Sequence, residues 1–171
     1  MKHCRLLLLA LLALSLQFRT AAQNTDAAID LNDRISSITD SLYALGAEWG
    51  QQVGVAFEKG EYVSLKPIRI KMEAFIARKQ MEVLKMKDIG GSEQLRLAML
   101  GFLFYEADMI NENFVPLEKM TGSADTEKVQ QLIVRIQEAS AAETERIQLV
   151  IEQQYKYAAK NGFKIAASEE N

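Results

Sequence analysis

Histidine and cysteine occur once each in the 171 residues, at His3 and Cys4, and proline only twice, at Pro67 and Pro116. With so few prolines and only nine glycines, the chain lacks the punctuation of a loop-rich β sandwich and favours long, uninterrupted elements. An excess of positive charge is missing too. The formal charge of −3 offers no basic footprint for nucleic acid. What is present, 49% hydrophobic and 25% charged residues, is the balance of one folded globular domain.

The lone histidine and cysteine fall in a segment that reads as an address. Lys2 and Arg5 precede an apolar run from Leu6 to Phe18, broken only by Ser15 and Gln17, and Thr20-Ala21-Ala22 supplies small residues ahead of Gln23. This is the three-part pattern of a secretory signal peptide over residues 1–22, with cleavage expected between Ala22 and Gln23. An uncleaved N-terminal anchor is the rival reading, but the apolar run is shorter than the roughly 20 residues that span a bilayer. Cys4 precedes that run, whereas a lipid-bearing cysteine would follow it. Export to the periplasm or the outer surface is therefore expected, with no transmembrane segment after cleavage.

Cleavage would leave residues 23–171 with 17 basic and 23 acidic side chains and with neither histidine nor cysteine. A disulfide, a thiol nucleophile, a Ser-His-Asp triad, a Cys/His zinc site and a His-ligated haem are then all impossible to build. The expectation is a protein that is not an enzyme, with no cofactor, no metal and no catalytic residue.

From Ala28 the apolar residues recur at alternating steps of three and four through Leu31, Ile35, Ile38, Leu42, Leu45, Trp49, Gln52 and Ala56, the seam of a long packed helix. Four helices are predicted over about 26–58, 64–89, 92–120 and 125–160, within a domain of 23–165 and ahead of a frayed tail at 166–171. Ser64 and Ser92 are the expected caps of helices two and three, with Pro67 in a first turn, where its missing N–H is harmless. Gly90-Gly91 closes helix two, Pro116 is expected to kink helix three, and Asn161-Gly162-Phe163 reads as a left-handed stop. Short connections favour an antiparallel, up-down-up-down four-helix bundle. Charge agrees, because residues 62–91 carry seven basic and three acidic side chains between two acidic helices.

The candidate chemistry lies in ionisable residues on apolar faces. Lys79 falls among Phe75, Met72 and Val83; Glu106 among Leu95, Met99, Phe102 and Met109; Glu143 among Ile136, Ala139, Ile147 and Val150. Folding the hairpins about their loops brings the three to one central zone. The leading expectation is an ion-pair cluster, Lys79 with Glu106 or Glu143, that fixes helix register. A ligand pocket comes next, then helix tilt that leaves the three at the boundary. A carboxylate metal site is weakest, since di-iron bundles need Glu-x-x-His. Methionine-only copper binding is weaker than core packing, and Trp49 is read as core. A second stripe on helix two, Ile70, Ala74, Ala77, Met81 and Leu84, is either enclosed or a partner surface.

Several stretches resemble a family of exported bacterial surface proteins typed by a leptospiral surface protein. They are Leu31-Asn32-Asp33-Arg34-Ile35, Phe104-Tyr105-Glu106, Phe114-Val115-Pro116-Leu117-Glu118, and Tyr157-Ala158-Ala159-Lys160-Asn161-Gly162-Phe163. The chain has Leu31 where the family typically has Tyr. The resemblance implies a helical, exported protein and carries over no catalytic residue. Together these readings point to a binding or assembly protein of the periplasm or cell surface, its partner an envelope protein or a second copy of itself. The alternative is a small-molecule or ion-binding bundle built on Lys79, Glu106 and Glu143.

Overall fold

The computed structural model describes the backbone of residues 2–121 and 125–165, with side chains from Asn24 onward. The described residues form an all-α bundle: α1 (Lys2–Lys59), α2 (Lys66–Lys85), α3 (Glu93–Met109), the short α4 (Val115–Leu117) and α5 (Thr126–Asn161). A 3-10 turn, Tyr62–Leu65, leads into α2, and a π-helical turn, Ile110–Phe114, joins α3 to α4. The backbone of α1 is helical from Lys2 rather than from about residue 26. The side chains of residues 1–23, those flanking the expected cleavage site among them, and the whole of the tail at 166–171 lie outside the described residues. Among the described residues no helix is long and apolar enough to cross a membrane.

The seam of α1 is buried as its spacing predicts, at Ala28, Leu31, Ile35, Ile38, Leu42, Leu45, Trp49 and Ala56. Cross-links fix its neighbours. Along α1 and α2, Arg34 meets Glu82 at 2.9 Å and Glu48 meets Lys71 at 2.7 Å. Gln80 of α2 donates to the Leu103 carbonyl of α3. The Tyr105 hydroxyl of α3 donates to the Ala139 carbonyl of α5, and Gln154 of α5 reaches back to Asn32 and Ser36 of α1. On the α1–α2 seam the partner's number falls as the residue number rises.

Helix two is shorter than expected, 66–85 rather than 64–89. Met86 already has an extended backbone (ψ 131°) and donates its N–H to Val83. Ser64 does not cap it; its hydroxyl donates to the Glu61 carbonyl. Ser92 holds the position before α3, but its N–H and hydroxyl both donate to the Asp88 carboxylate, so it ties the connector rather than capping the helix. Gly90 and Gly91 in that connector have φ of +58° and +73°, a backbone region closed to most side chains. The end of α5 clamps them, with Asn161 donating to the Gly90 carbonyl and Tyr157 to that of Ile89. Beyond it Gly162 turns left-handed, Phe163 N–H bonds back to Ala158, and the rings of Tyr157 and Phe163 meet edge to face.

Pro116 does more than kink a helix. Its missing N–H leaves the Glu112 carbonyl without an intrahelical donor, and Arg135 of α5 supplies one at 3.0 Å. The backbone widens into the π turn just before the proline, where such bulges commonly re-aim side chains. Here it turns Phe114 inward, flat against Trp49 with ring centroids 3.7 Å apart and planes within 9°.

Candidate functional site

That stacked pair forms one wall of a cavity of about 540 Å³ between α1, α3 and α5. Its size falls within the range of small-molecule pockets, about 300–1,000 Å³. Leu42, Met72, Met109, Ile136 and Ile147 make the remainder of the wall largely apolar. Tyr43 lies at the edge, 82% exposed, so the cavity opens to solvent beside α1. Gly46 and Gly50 line the α1 side, and a Cβ added at either would meet nothing within 4 Å. The missing side chains are part of the open space.

Polar groups converge on this apolar wall. Glu106 is only 3% exposed and hydrogen-bonds to Glu143 of α5, while its Oε1 has no partner. Burial, then the charge of Glu143 and the hydrogen bond to it, push the Glu106 carboxyl up to about 8. Burial also raises Glu143, against the hydrogen bond it receives. Burial thus biases both carboxyls of the pair toward the protonated form. The indole N–H of Trp49, a residue 6% exposed, also lacks an acceptor. Buried polar groups are almost always paired, and these two unpaired atoms, both closed to solvent, belong to residues that line one cavity.

The three residues expected in one zone divide. Glu106 and Glu143 come together; Lys79 does not join them. Its ammonium pairs with Glu82 at 2.8 Å, one turn along its own helix, and lies 5.6 Å from the centre of the Phe75 ring. The long lysine stem reaches past the apolar face to a nearer acid. Arg34 bonds the same Glu82, and the two hydrogen bonds, that of Lys79 first, hold its carboxyl below the usual range. The cluster is thus a carboxyl pair without a cation. Arg146 lies over the Tyr105 ring, 5.5 Å from its centre, and forms no ion pair with either acid. Burial first, then the nearby Glu106 and Glu143, raise the Tyr105 hydroxyl.

The second stripe of α2 is not enclosed: Ile70, Ala74, Ala77, Met81 and Leu84 all face solvent. Among the described residues no group of three or more acidic, histidine or cysteine side chains is placed to hold a metal. Trp49, Phe114, Gly46 and Gly50 are site residues that the spacing argument assigned to core or passed over. Glycines four apart on one helix were the available signal for the last two. The chain matches no protein-family model, no curated protein and no solved structure.

Proposed function

We propose that this chain is an exported, non-enzymatic binding protein that holds a small molecule in the cavity between α1, α3 and α5. The carrying observation is the pair of orphaned, buried polar atoms, Glu106 Oε1 and Trp49 Nε1, in residues lining one ligand-sized apolar cavity. Both atoms are closed to solvent, so an occupant reaches them by shifting the side chains over them, and one that supplies a donor to the first and an acceptor to the second would complete both. The four helices are proposed to run up-down-up-down, which the descending pairings along α1 and α2 support. Mass spectrometry under non-denaturing conditions tests the reading on chain purified from its own host. A ligand mass lost in Gly46→Phe, which fills the cavity, is the expected result. A bare mass, together with unchanged Trp49 emission in an extract of the host's small molecules, would contradict it.

Export rests on the tripartite pattern of residues 1–22, and resemblance to the leptospiral surface-protein type agrees with it. N-terminal sequencing of the protein from the cell envelope should begin at Gln23; a chain that begins at Met1 sinks the export reading. Assembly through α2 is a second reading, favoured by the exposure of Met81 (51%) and Leu84 (54%) beside Ile70. If it holds, replacing Met81 with Lys and Leu84 with Glu abolishes self-association or capture of an envelope partner and leaves the melting temperature unchanged.

A further inference from the structure

We infer that the cavity takes an organic ammonium ion: a protonated amine carried on an apolar, ring- or chain-like body. The inference rests on the reading of the cavity as a binding site and names its ligand class.

The charge balance of the wall comes first. Two carboxyls, Glu106 and Glu143, face one another across α3 and α5, and neither forms an ion pair among the described residues. The basic groups that could have entered are used elsewhere: Lys79 on Glu82, Arg146 over Tyr105. A buried pair of acids with no cation is unfavourable in an empty site and becomes favourable when the ligand supplies the positive charge. Glu106 Oε1 is buried without a hydrogen-bond partner.

The remainder of the lining decides between kinds of cation. Calcium takes six to eight oxygens, and magnesium a near-octahedral shell. This wall offers two carboxyls, with Tyr43, Ser140 and Thr144 as its other oxygen-bearing side chains, beside Met72, Met109, Ile136 and Ile147, and no third acid joins them among the described residues. Apolar side chains suit a carbon body, and Trp49 and Phe114 put aromatic rings, which attract ammonium groups, in the same wall as the two acids.

Protons must couple to binding. Around the pair stand Tyr105 and Glu112 on the α3 side, Arg146 on α5 and Tyr43 at the mouth on α1, while α2 contributes uncharged Met72. None of these supplies a cation to the pair. An ammonium ion that binds Glu106 and Glu143 displaces a proton from the pair, so affinity rises with pH until the pair is already ionised.

The only tryptophan of the chain lies in the wall, so its emission reads occupancy directly. The probes are phenethylamine, its neutral counterpart 2-phenylethanol, its anionic counterpart 3-phenylpropanoate, and calcium chloride. They are titrated against the full chain, Glu143→Gln and Glu106→Gln, with thermal shift as a second readout. Phenethylamine should change Trp49 emission and raise the melting temperature, and bind roughly tenfold or more tightly at about pH 9 than at about pH 6. It should lose roughly tenfold or more in affinity in Glu143→Gln, whose partly buried position tolerates the amide. Equal binding of 2-phenylethanol or 3-phenylpropanoate, or undiminished amine binding in Glu143→Gln, overturns the ammonium assignment and leaves the cavity as a binding site. A response to calcium alone overturns it in favour of a metal. Silence towards every probe at millimolar concentration removes the assignment and the binding-site reading together.

Discussion

Glu106 of α3 and Glu143 of α5 line one cavity as two acids from different helices, both carboxyls raised by burial and neither in an ion pair among the described residues. A bundle that needed only a packed core would place leucine at Glu106, which sits among Phe102, Leu103 and Met109. Retaining an acid there costs folding free energy, a trade typical of functional sites.

That cost has a pH signature. Glu106 keeps its proton to about pH 8 in the folded chain, against 4.5 ordinarily. Between those values the folded state holds the extra proton, so stability falls as pH rises, by about 1.4 kcal/mol per unit at most. Below that window the effect vanishes, and above it the full cost remains. Glu143, raised as well, acts in the same direction, whereas the lowered Glu82 acts only at more acid pH. Urea melts from about pH 5 to about pH 8 should show the wild type weakening and Glu106→Gln nearly flat, the variant being the more stable by a few kcal/mol at the upper end. Parallel curves would contradict the assignment.

Arg69 joins the start of α2 to the residue after α4 through Glu118 at 2.6 Å, and it also holds Glu73 at 2.6 Å. The Glu118 bridge is nearly closed to water, with side chains 11% and 8% exposed. Removing one partner of a buried pair costs roughly 3–5 kcal/mol, while removing both can be close to neutral. Arg69→Met should therefore destabilise strongly, and Arg69→Met with Glu118→Leu should recover most of the loss. Equal losses in the single and double variants would show that the bridge is not a coupled pair.

Lys79→Met should cost no more than about 1 kcal/mol. The ammonium lies beside Glu82, and Arg34 remains to satisfy that carboxylate. A loss of about 3 kcal/mol or more in urea melts would instead place Lys79 in a buried cluster.

The two acids and the lysine mark where the sequence was legible and where it was not. Helical periodicity put Glu106 among apolar neighbours, and it is buried there; the same arithmetic put Lys79 in the centre, where it is not. A wheel locates Cβ, and a glutamate head stays close to its Cβ while a lysine head travels several ångströms to the nearest acid. The α1 seam was legible because every third or fourth residue meets a neighbouring helix. Trp49 belongs to that seam and is buried as expected, but a spacing pattern cannot distinguish a packed wall from the wall of a cavity. The π turn at Ile110–Phe114 was only half legible: Pro116 marked the disturbance, but the Arg135 guanidinium that satisfies the Glu112 carbonyl comes from another helix, 23 residues on.

The claim on which the account turns is that Glu106 sits protonated at the floor of a ligand cavity, bonded to Glu143. The carboxyl carbon shift of Glu106, followed by NMR through a pH titration, reads this directly. The account predicts a midpoint near 8 in the free chain, falling in Glu143→Gln but staying above the ordinary 4.5, because burial is the largest cause of the shift. A midpoint near 4.5 in the free chain would show a solvated carboxylate and contradict the account.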